Sequence, residues 1–272
     1  MGWTGWIGIA LGLGALAILT WTARTRTPAG GPWTFQDYEA GWREAHQLGA
    51  EARPGGWLAA WYLRLPYALG APLARAGADP NLVTLAALWM ALTAGWTATL
   101  GPGWAAAAGA LTLAAGVADS VDGAVAVLQR RTSTFGFVWD SAADRLADLA
   151  LIAGPVALVA TRAAHGWGLA AVAAGTAAAV LLLLLEYVRA RAQAGGVAAA
   201  WTLATPGERP TRVIMLGLTG LAVGAAQLGG DGLATAALDL GYPLALAALA
   251  VLEAAGCVQL LLAVRHAPAR LR

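Results

Sequence analysis

The chain has little charge, no lysine and a single cysteine. Only 12% of its 272 residues are charged, whereas an ordinary globular domain carries about a quarter. Cys257 has no second cysteine with which to form an intramolecular disulfide, so such cross-links cannot stabilise the fold. The net charge is only +2 and no dense basic run occurs, which argues against nucleic acid as a partner.

Apolar residues make up 59% of the chain and lie in long runs. About 20 apolar residues in a helix cross a hydrocarbon core of roughly 30 Å, and a helix satisfies its own backbone hydrogen bonds in lipid. We therefore predict an all-α integral membrane protein with a bundle of six transmembrane helices. The predicted spans are residues 82–100, 105–127, 138–161, 167–188, 213–229 and 241–263.

The N-terminal quarter precedes this bundle. Residues 3–22 are apolar and are followed, not preceded, by positive charge, unlike a secretory signal, so they predict one additional N-terminal transmembrane helix. Residues 55–76 are typical of a helix lying in the membrane interface, broken near Pro66; a buried re-entrant helix is the alternative. We divide the chain into residues 1–54, an extra helix and cytoplasmic connector, and residues 55–272, an interfacial helix and the six-helix domain.

The arginines indicate an orientation. If residues 3–22 cross from outside to inside, Arg162 is the only arginine within the predicted domain that falls on the outer side. Cytoplasmic loops carry an excess of positive residues, so the ends of the spans near residues 127, 138, 188 and 213 are predicted to lie inside. We expect an integral protein of a bacterial plasma membrane, with its active site facing the cytoplasm.

Five of the nine aspartates fall between residues 119 and 148. Asp119 and Asp122 are three residues apart, and Asp140 and Asp144 are four apart, so each pair shares a helical face. An ionised aspartate at the bilayer centre costs at least about 2.5–3.5 kcal/mol, and neighbouring carboxylates repel, so the cluster requires compensating positive charge. Oxygen ligands suit hard cations, and we predict Mg²⁺ or Mn²⁺.

Smaller signals surround this cluster. Gly123 and Ala126 leave room for a bulky ligand or for a close helix crossing. The run Pro80-Asn81-x2-Thr84 opens a predicted helix, for which an ordinary capped helix start is the plainer interpretation. Asp148, one turn beyond Asp144, is interpreted as a packing partner for an arginine such as Arg145.

The run Asp119-x2-Asp122-Gly123-x2-Ala126, followed by Gly136-x3-Asp140-x3-Asp144, resembles the signature of the CDP-alcohol phosphotransferases, D-x2-D-G-x2-A-R-x8-G-x3-D-x3-D. Every fixed position matches except the arginine, which is Val127 here. The resemblance covers roughly residues 55–265. It implies six transmembrane helices with an N-terminal interfacial helix, in a protein that is usually a homodimer.

The resemblance also implies a reaction. A phosphatidyl group would pass from a CDP-linked lipid such as CDP-diacylglycerol to the hydroxyl of a small polar acceptor, with release of CMP, in phospholipid biosynthesis. The implied metal ligands are Asp119, Asp122, Asp140 and Asp144, and Asp144 is also the implied general base. The implied contacts of the CDP group are Asn81, Thr84, Gly123 and Ala126.

Two arginine-containing runs bear on the acceptor. The runs 186–191 and 208–212 resemble those of the branch that makes phosphatidylinositol phosphate from inositol phosphate, and there Arg189 and Arg212 would contact the acceptor phosphate by bidentate hydrogen bonds. Ordinary positive charge at cytoplasmic helix ends is the alternative. That branch has an arginine on its last helix, near Leu260 of this chain, so glycerol 3-phosphate remains open as acceptor.

Two other functions remain open. Intramembrane carboxylates also mark ion paths, so a transporter or metal-binding membrane protein is the alternative of a different class, although no internal repeat of the kind common in transporters occurs. A catalytically silent relative is the other alternative, because Val127 replaces the arginine of the signature.

Overall fold

The computed structural model describes residues 14, 17, 34–45, 56–163, 166–197, 200 and 203–267. These residues form α-helices, one short 3₁₀ helix at Pro102–Trp104, and connecting turns, with no strand in this part of the chain. The helices are α1 Phe35–Ala45, α2 Gly56–Arg75, α3 Pro80–Thr99, α4 Ala105–Leu128, α5 Thr134–Arg162, α6 Trp167–Ala194, α7 Arg209–Ala226 and α8 Asp231–His266. The predicted all-α class is confirmed for these residues.

Four of the described helical segments are long and apolar enough to cross a membrane. They are Pro80–Thr99, Pro102–Leu128, Trp167–Ala194 and Asp231–His266. Each corresponds to a predicted span. The last is longer than predicted, because the helix begins at Asp231, ten residues before the predicted start at residue 241. The predicted N-terminal span, residues 3–22, lies outside the described residues except for the helical Gly14 and Ala17.

Two elements of the N-terminal region differ from expectation. The connector contains helix α1, whose first turn is closed by a capping box: Asp37 Oδ2 accepts from Thr34 N at 2.9 Å, and Thr34 Oγ1 accepts from Asp37 N at 3.2 Å. Helix α2 continues through Pro66 and Pro72 instead of breaking at Pro66. A proline removes one backbone hydrogen bond, and the turns on either side keep the α2 backbone helical.

The described residues cluster into two compact units. We call one the aspartate unit; it comprises the described residues from Gly14 to Met90 together with Ala114–Leu146. We call the other the arginine unit; it comprises Ala91–Leu113 and the described residues from Ala147 onward. Helices α3, α4 and α5 contribute residues to both.

The core of the aspartate unit contains residues from α1, from α2 and from the C-terminal end of α4. Its buried residues include Tyr38 of α1, Leu63 of α2 and Val125 of α4, and the partly buried Val127 packs against them. Hydrogen bonds from Gln129 hold the end of α4 to the end of α2 and the residues that follow it. Its Nε2 donates to the carbonyls of Ala74 at 3.2 Å and Ala78 at 2.9 Å.

Small residues allow close helix crossings in the arginine unit. A Cβ added at Gly154 of α5 would lie 2.8 Å from Cα of Gly95 in α3. A Cβ added at Gly220 of α7 would lie 2.8 Å from Cα of Gly109 in α4. Such contacts are typical of helices packed in lipid, where close approach of backbones replaces a hydrophobic driving force.

Candidate metal centre

The short turn between α4 and α5 brings two aspartate pairs together. Arg131 N donates to the carbonyl of Ala126 at 2.9 Å, and Arg130 N donates to that of Val127 at 3.1 Å, which closes the end of α4. Arg130 takes the left-handed conformation, with φ 51°. The chain then enters α5 within a few residues, so the last turns of α4 lie beside the first turns of α5.

Three carboxylates meet at this place. Asp119 of α4 and Asp140 and Asp144 of α5 each offer an oxygen, and these atoms all lie within 4.8 Å of one another. All three side chains are half-buried, and Nη2 of Arg145 lies 3.3 Å from Asp144 Oδ2. Three hard oxygen donors that converge in this way fit Mg²⁺ or Mn²⁺, whose charge would offset the repulsion among the carboxylates.

Asp122 is placed differently from the other three. It is 6% exposed, its Oδ2 accepts a hydrogen bond from the Thr84 hydroxyl, and its Oδ1 accepts from the backbone N–H of Gly123 at 2.5 Å. It lies outside the group of three converging oxygens, although its charge interacts with those of Asp119 and Asp140. Asp122 therefore links the carboxylates to the first turn of α3.

The first turn of α3 is held against the beginning of α5. Asp79 Oδ1 accepts from Asn81 N at 3.0 Å and caps the helix, and Trp139 Nε1 donates to the Asn81 carbonyl at 3.2 Å. Asn81 and Thr84 are thus in the same unit as the three carboxylates. A Cβ added at the exposed Gly123 would meet no atom within 4 Å, so open space lies beside Asp122, as the small-residue pattern predicts.

The arginine unit contains a buried ion cluster. Nη2 of Arg212 lies 2.8 Å from Asp148 Oδ2, and Nη1 lies 3.0 Å from Glu253 Oε1. The three side chains are 3%, 1% and 1% exposed, respectively. Arg212 also donates to the Gly207 carbonyl at 2.5 Å, and Nε of Arg209 lies 3.9 Å from Asp148 Oδ1.

Arg189 is bound by a second set of groups in the same unit. It donates to the Leu203 carbonyl at 3.1 Å, to Thr205 Oγ1 at 3.2 Å and to Glu208 Oε1 at 2.8 Å. Glu208 is 38% exposed, against 15% for Arg189. The carboxylate on Arg189 is therefore accessible, whereas the carboxylates on Arg212 are not.

Sequence reasoning missed Glu253 and the distant arginines near Asp148. Asp148 accepts a hydrogen bond from Arg212, 64 residues away, and Arg209 lies nearby. The sequence contained one signal for Glu253, because a lone carboxylate within an apolar run needs a cation or a hydrogen-bond donor. The partner, Arg212, could not be predicted from spacing, since Glu253 and Arg212 lie on different helices.

Comparison with known proteins now decides the family. The model of the family described as CDP-alcohol phosphatidyltransferase matches residues 78–259, which is more than half of the chain and includes every predicted site residue.

The chain belongs to the CDP-alcohol phosphatidyltransferase family.

Curated relatives and solved structures agree with this assignment. The phosphatidylinositol phosphate synthase of Mycobacteroides abscessus is 33% identical over 57% of this chain and 67% of its own length. The archaetidylinositol phosphate synthase of Methanothermobacter thermautotrophicus is 36% identical over 39% of this chain and 49% of its own length. The chain thus spans about two thirds of the length of the first relative and about half of the length of the second.

The fold is shared with a synthase of known structure. The crystal structure of Mycobacterium tuberculosis phosphatidylinositol phosphate synthase in complex with manganese and citrate aligns with a TM-score of 0.61 at 23% identity, covering 76% of this chain and 92% of that one. The structure of the same protein with CDP-DAG bound aligns with a TM-score of 0.59 at 24% identity, covering 77% and 98%. This likeness and the four apolar helices show an integral membrane fold of the same kind, and family membership shows a phosphatidyltransferase.

Proposed function

We propose that this enzyme transfers a phosphatidyl group from CDP-diacylglycerol to the hydroxyl of a small phosphorylated alcohol and releases CMP. Inositol phosphate is the first candidate acceptor, because both curated relatives are named as inositol phosphate lipid synthases; glycerol 3-phosphate is the second. The observation that carries the proposal is the convergence of Asp119, Asp140 and Asp144 within 4.8 Å at the spacing of the family signature.

Each aspartate has a proposed role. Asp119, Asp122, Asp140 and Asp144 would hold one or two Mg²⁺ or Mn²⁺ ions, which would neutralise charge on the pyrophosphate oxygens. Asp144 would also take the proton of the acceptor hydroxyl as its oxygen bonds to the lipid-linked phosphorus. The bond that breaks joins this phosphorus to the bridging oxygen, which leaves with CMP.

The remaining residues would position the two substrates. Asn81, Thr84, Gly123 and Ala126 are proposed to contact the CDP group. The open space at Gly123, where an added Cβ would meet no atom within 4 Å, supports this placement. Arg189 and Arg212 are proposed contacts of the acceptor phosphate. At Arg189 the phosphate would replace the half-exposed Glu208, whereas at Arg212 it would have to displace the buried Glu253, so Arg189 is the more accessible of the two.

We also propose the finer membrane arrangement. Helix α5 contains the predicted span 138–161, and α7 contains residues 213–226 of the predicted span 213–229. The two would bring the four apolar segments to six. Helix α2 would lie in the interface, residues 1–54 would add a transmembrane helix and a connector, and residues 55–272 would form the synthase domain. The enzyme would be a homodimer in a bacterial plasma membrane, with its aspartates on the cytoplasmic side.

The test is CMP release by the purified protein with CDP-diacylglycerol, Mn²⁺ or Mg²⁺, and separate acceptors: inositol phosphate, glycerol 3-phosphate, inositol and serine. We expect release with a phosphorylated acceptor, a loss of at least about a hundredfold in Asp144→Asn, and wild-type release in Asp231→Asn, whose exposed carboxylate lies outside the cluster. Absence of release with every acceptor, or full activity in Asp144→Asn, would contradict the proposal.

A further inference from the structure

Helix α1 packs on the aspartate unit through an aromatic face. The Tyr38 side chain is 2% exposed, and its ring centroid lies 5.8 Å from that of Tyr67 in α2. The Phe35 ring lies 5.5 Å from the Tyr67 ring, edge to face, and the Arg64 guanidinium lies 5.7 Å above the Phe35 ring. Each contact adds stabilisation beyond burial. Helix α1 precedes the region matched by the family, residues 78–259, and yet it shares the core of the unit.

The same helix lies against the residue at which the signature is broken. A Cβ added at Gly41 of α1 would lie 2.8 Å from Cγ1 of Val127, which is closer than real Cβ atoms approach. Val127 is partly buried and packs against the cluster that contains Tyr38. An arginine side chain at position 127 is longer and charged, and it would meet α1 at this point. The valine is therefore matched to the glycine of α1.

A charged residue of α1 also lies within electrostatic range of the α4–α5 turn. The pKa of the Asp37 carboxyl is below its ordinary value, chiefly because the backbone and hydroxyl of Thr34 donate to it, and to a smaller extent because Arg130 lies nearby. Arg130 is the residue in the left-handed conformation in that turn. Helix α1 thus packs against the end of α4 at Gly41, and its Asp37 lies within electrostatic range of the turn that follows.

The turn controls the geometry of the three carboxylates. Asp119 comes from α4, before the turn, and Asp140 and Asp144 come from α5, after it. A displacement of the end of α4 would change the distance between the Asp119 oxygen and the other two. Metal affinity depends on such distances, because ligand atoms must converge to within a few tenths of an ångström.

We propose that helix α1 is a positioning element of the metal site, which fixes the end of α4, and with it the α4–α5 turn, by packing Gly41 against Val127. The inference rests on the proposed metal site. It assigns a role to a helix outside residues 78–259, the region matched by the family. It also explains Val127 as the residue against which that helix packs. Gly41 and Val127 are positioning residues in this sense and touch no substrate.

The test measures Mn²⁺ binding to the full-length purified chain, without substrate, by calorimetry and by the electron paramagnetic resonance signal of free Mn²⁺. Replacing a group that orients metal ligands typically weakens affinity by about 10–100-fold, and we expect about tenfold for Gly41→Val. The matched control is Ala40→Val, which adds a larger apolar side chain at the exposed neighbouring position of the same helix and is expected to bind as the wild type does. The double variant Gly41→Val/Val127→Ala relieves the overlap and is expected to recover most of the affinity.

Wild-type Mn²⁺ affinity in Gly41→Val, or failure of Val127→Ala to restore it, would overturn the inference. If Gly41→Val does not fold, Gly41→Ala serves instead, because it adds only the Cβ and favours helix formation by up to about 1 kcal/mol; weaker Mn²⁺ binding supports the inference and unchanged binding overturns it. A wild type that binds Mn²⁺ and releases no CMP contradicts the proposed function and leaves this inference standing. A wild type that binds no Mn²⁺ overturns both.

Discussion

The buried ion cluster of the arginine unit predicts a specific pattern of stabilities. Arg212, Asp148 and Glu253 are at most 3% exposed and are joined by contacts of 2.8 and 3.0 Å. Nε of Arg209, 3.9 Å from Asp148 Oδ1, belongs to a second guanidinium beside the cluster. Arg212→Met leaves two buried carboxylates with one more distant cation. Removal of one partner from a buried pair costs about 3–5 kcal/mol, and we expect a loss of that size in the free energy of unfolding.

The second substitution makes the reasoning testable. Glu253→Gln keeps an oxygen that can accept from Arg212 and leaves the Asp148 contact intact, so we expect a loss of about 1.5 kcal/mol, the lower end for a hydrogen bond to a charged group. In the double variant, position 253 no longer carries a buried negative charge, and Asp148 keeps Arg209 nearby. Groups in one network couple by about 0.5–3 kcal/mol, and the double variant should therefore be more stable than the sum of the single losses predicts.

The assay is unfolding by sodium dodecyl sulfate in mixed micelles, followed by circular dichroism, with Arg191→Met as control because Arg191 is exposed on α6. An unchanged stability in Arg212→Met, or strict additivity in the double variant, would refute the network. The KM for the acceptor separates the two roles of Arg212. A raised KM at unchanged stability would assign Arg212 to the acceptor phosphate instead.

Three further predictions concern the metal site and the helix crossings. Thr84→Val removes the hydroxyl that donates to buried Asp122 and should reduce CMP release by about tenfold, whereas Thr84→Ser keeps the donor and most activity. Chelation of divalent cations should abolish CMP release, added Mn²⁺ should restore it, and Asp119→Asn should raise the Mn²⁺ concentration for half activation by about 10–100-fold; activity that survives chelation would contradict a metal mechanism. Gly154→Val places atoms on Gly95 and should lower the free energy of unfolding by at least about 1–3 kcal/mol, while Gly232→Val, which meets nothing within 4 Å at its Cβ, should change it little.

The spacing of the aspartates was enough to predict that carboxylates of two helices would meet. Helical periodicity places Asp140 and Asp144 on one face whatever the surroundings, and the structure brings both to Asp119. The special place of Asp122 could not be predicted in this way. Its orientation depends on Thr84, 38 residues earlier, and on how the first turn of α3 packs.

The sequence contained a signal for helix α1 that the surrounding composition obscured. Thr34 and Asp37 are the two ends of a capping box, but glycine and proline on both sides made the whole segment resemble a polar connector. The contact of Asp148 with Arg212 could not be predicted either, because 64 residues separate the two in the sequence. Local patterns predict helices and shared faces, whereas partners from distant helices depend on packing.

The buried ion cluster also has a consequence for the order in which the protein is made. Asp148 precedes Arg212 by 64 residues, and Arg212 precedes Glu253 by 41. At roughly 5–20 residues per second, the ribosome makes Asp148 about 3–13 s before Arg212. The contact between Asp148 and Arg212 cannot form during that interval. The complete ion cluster can therefore assemble only after the C-terminal helices have been made.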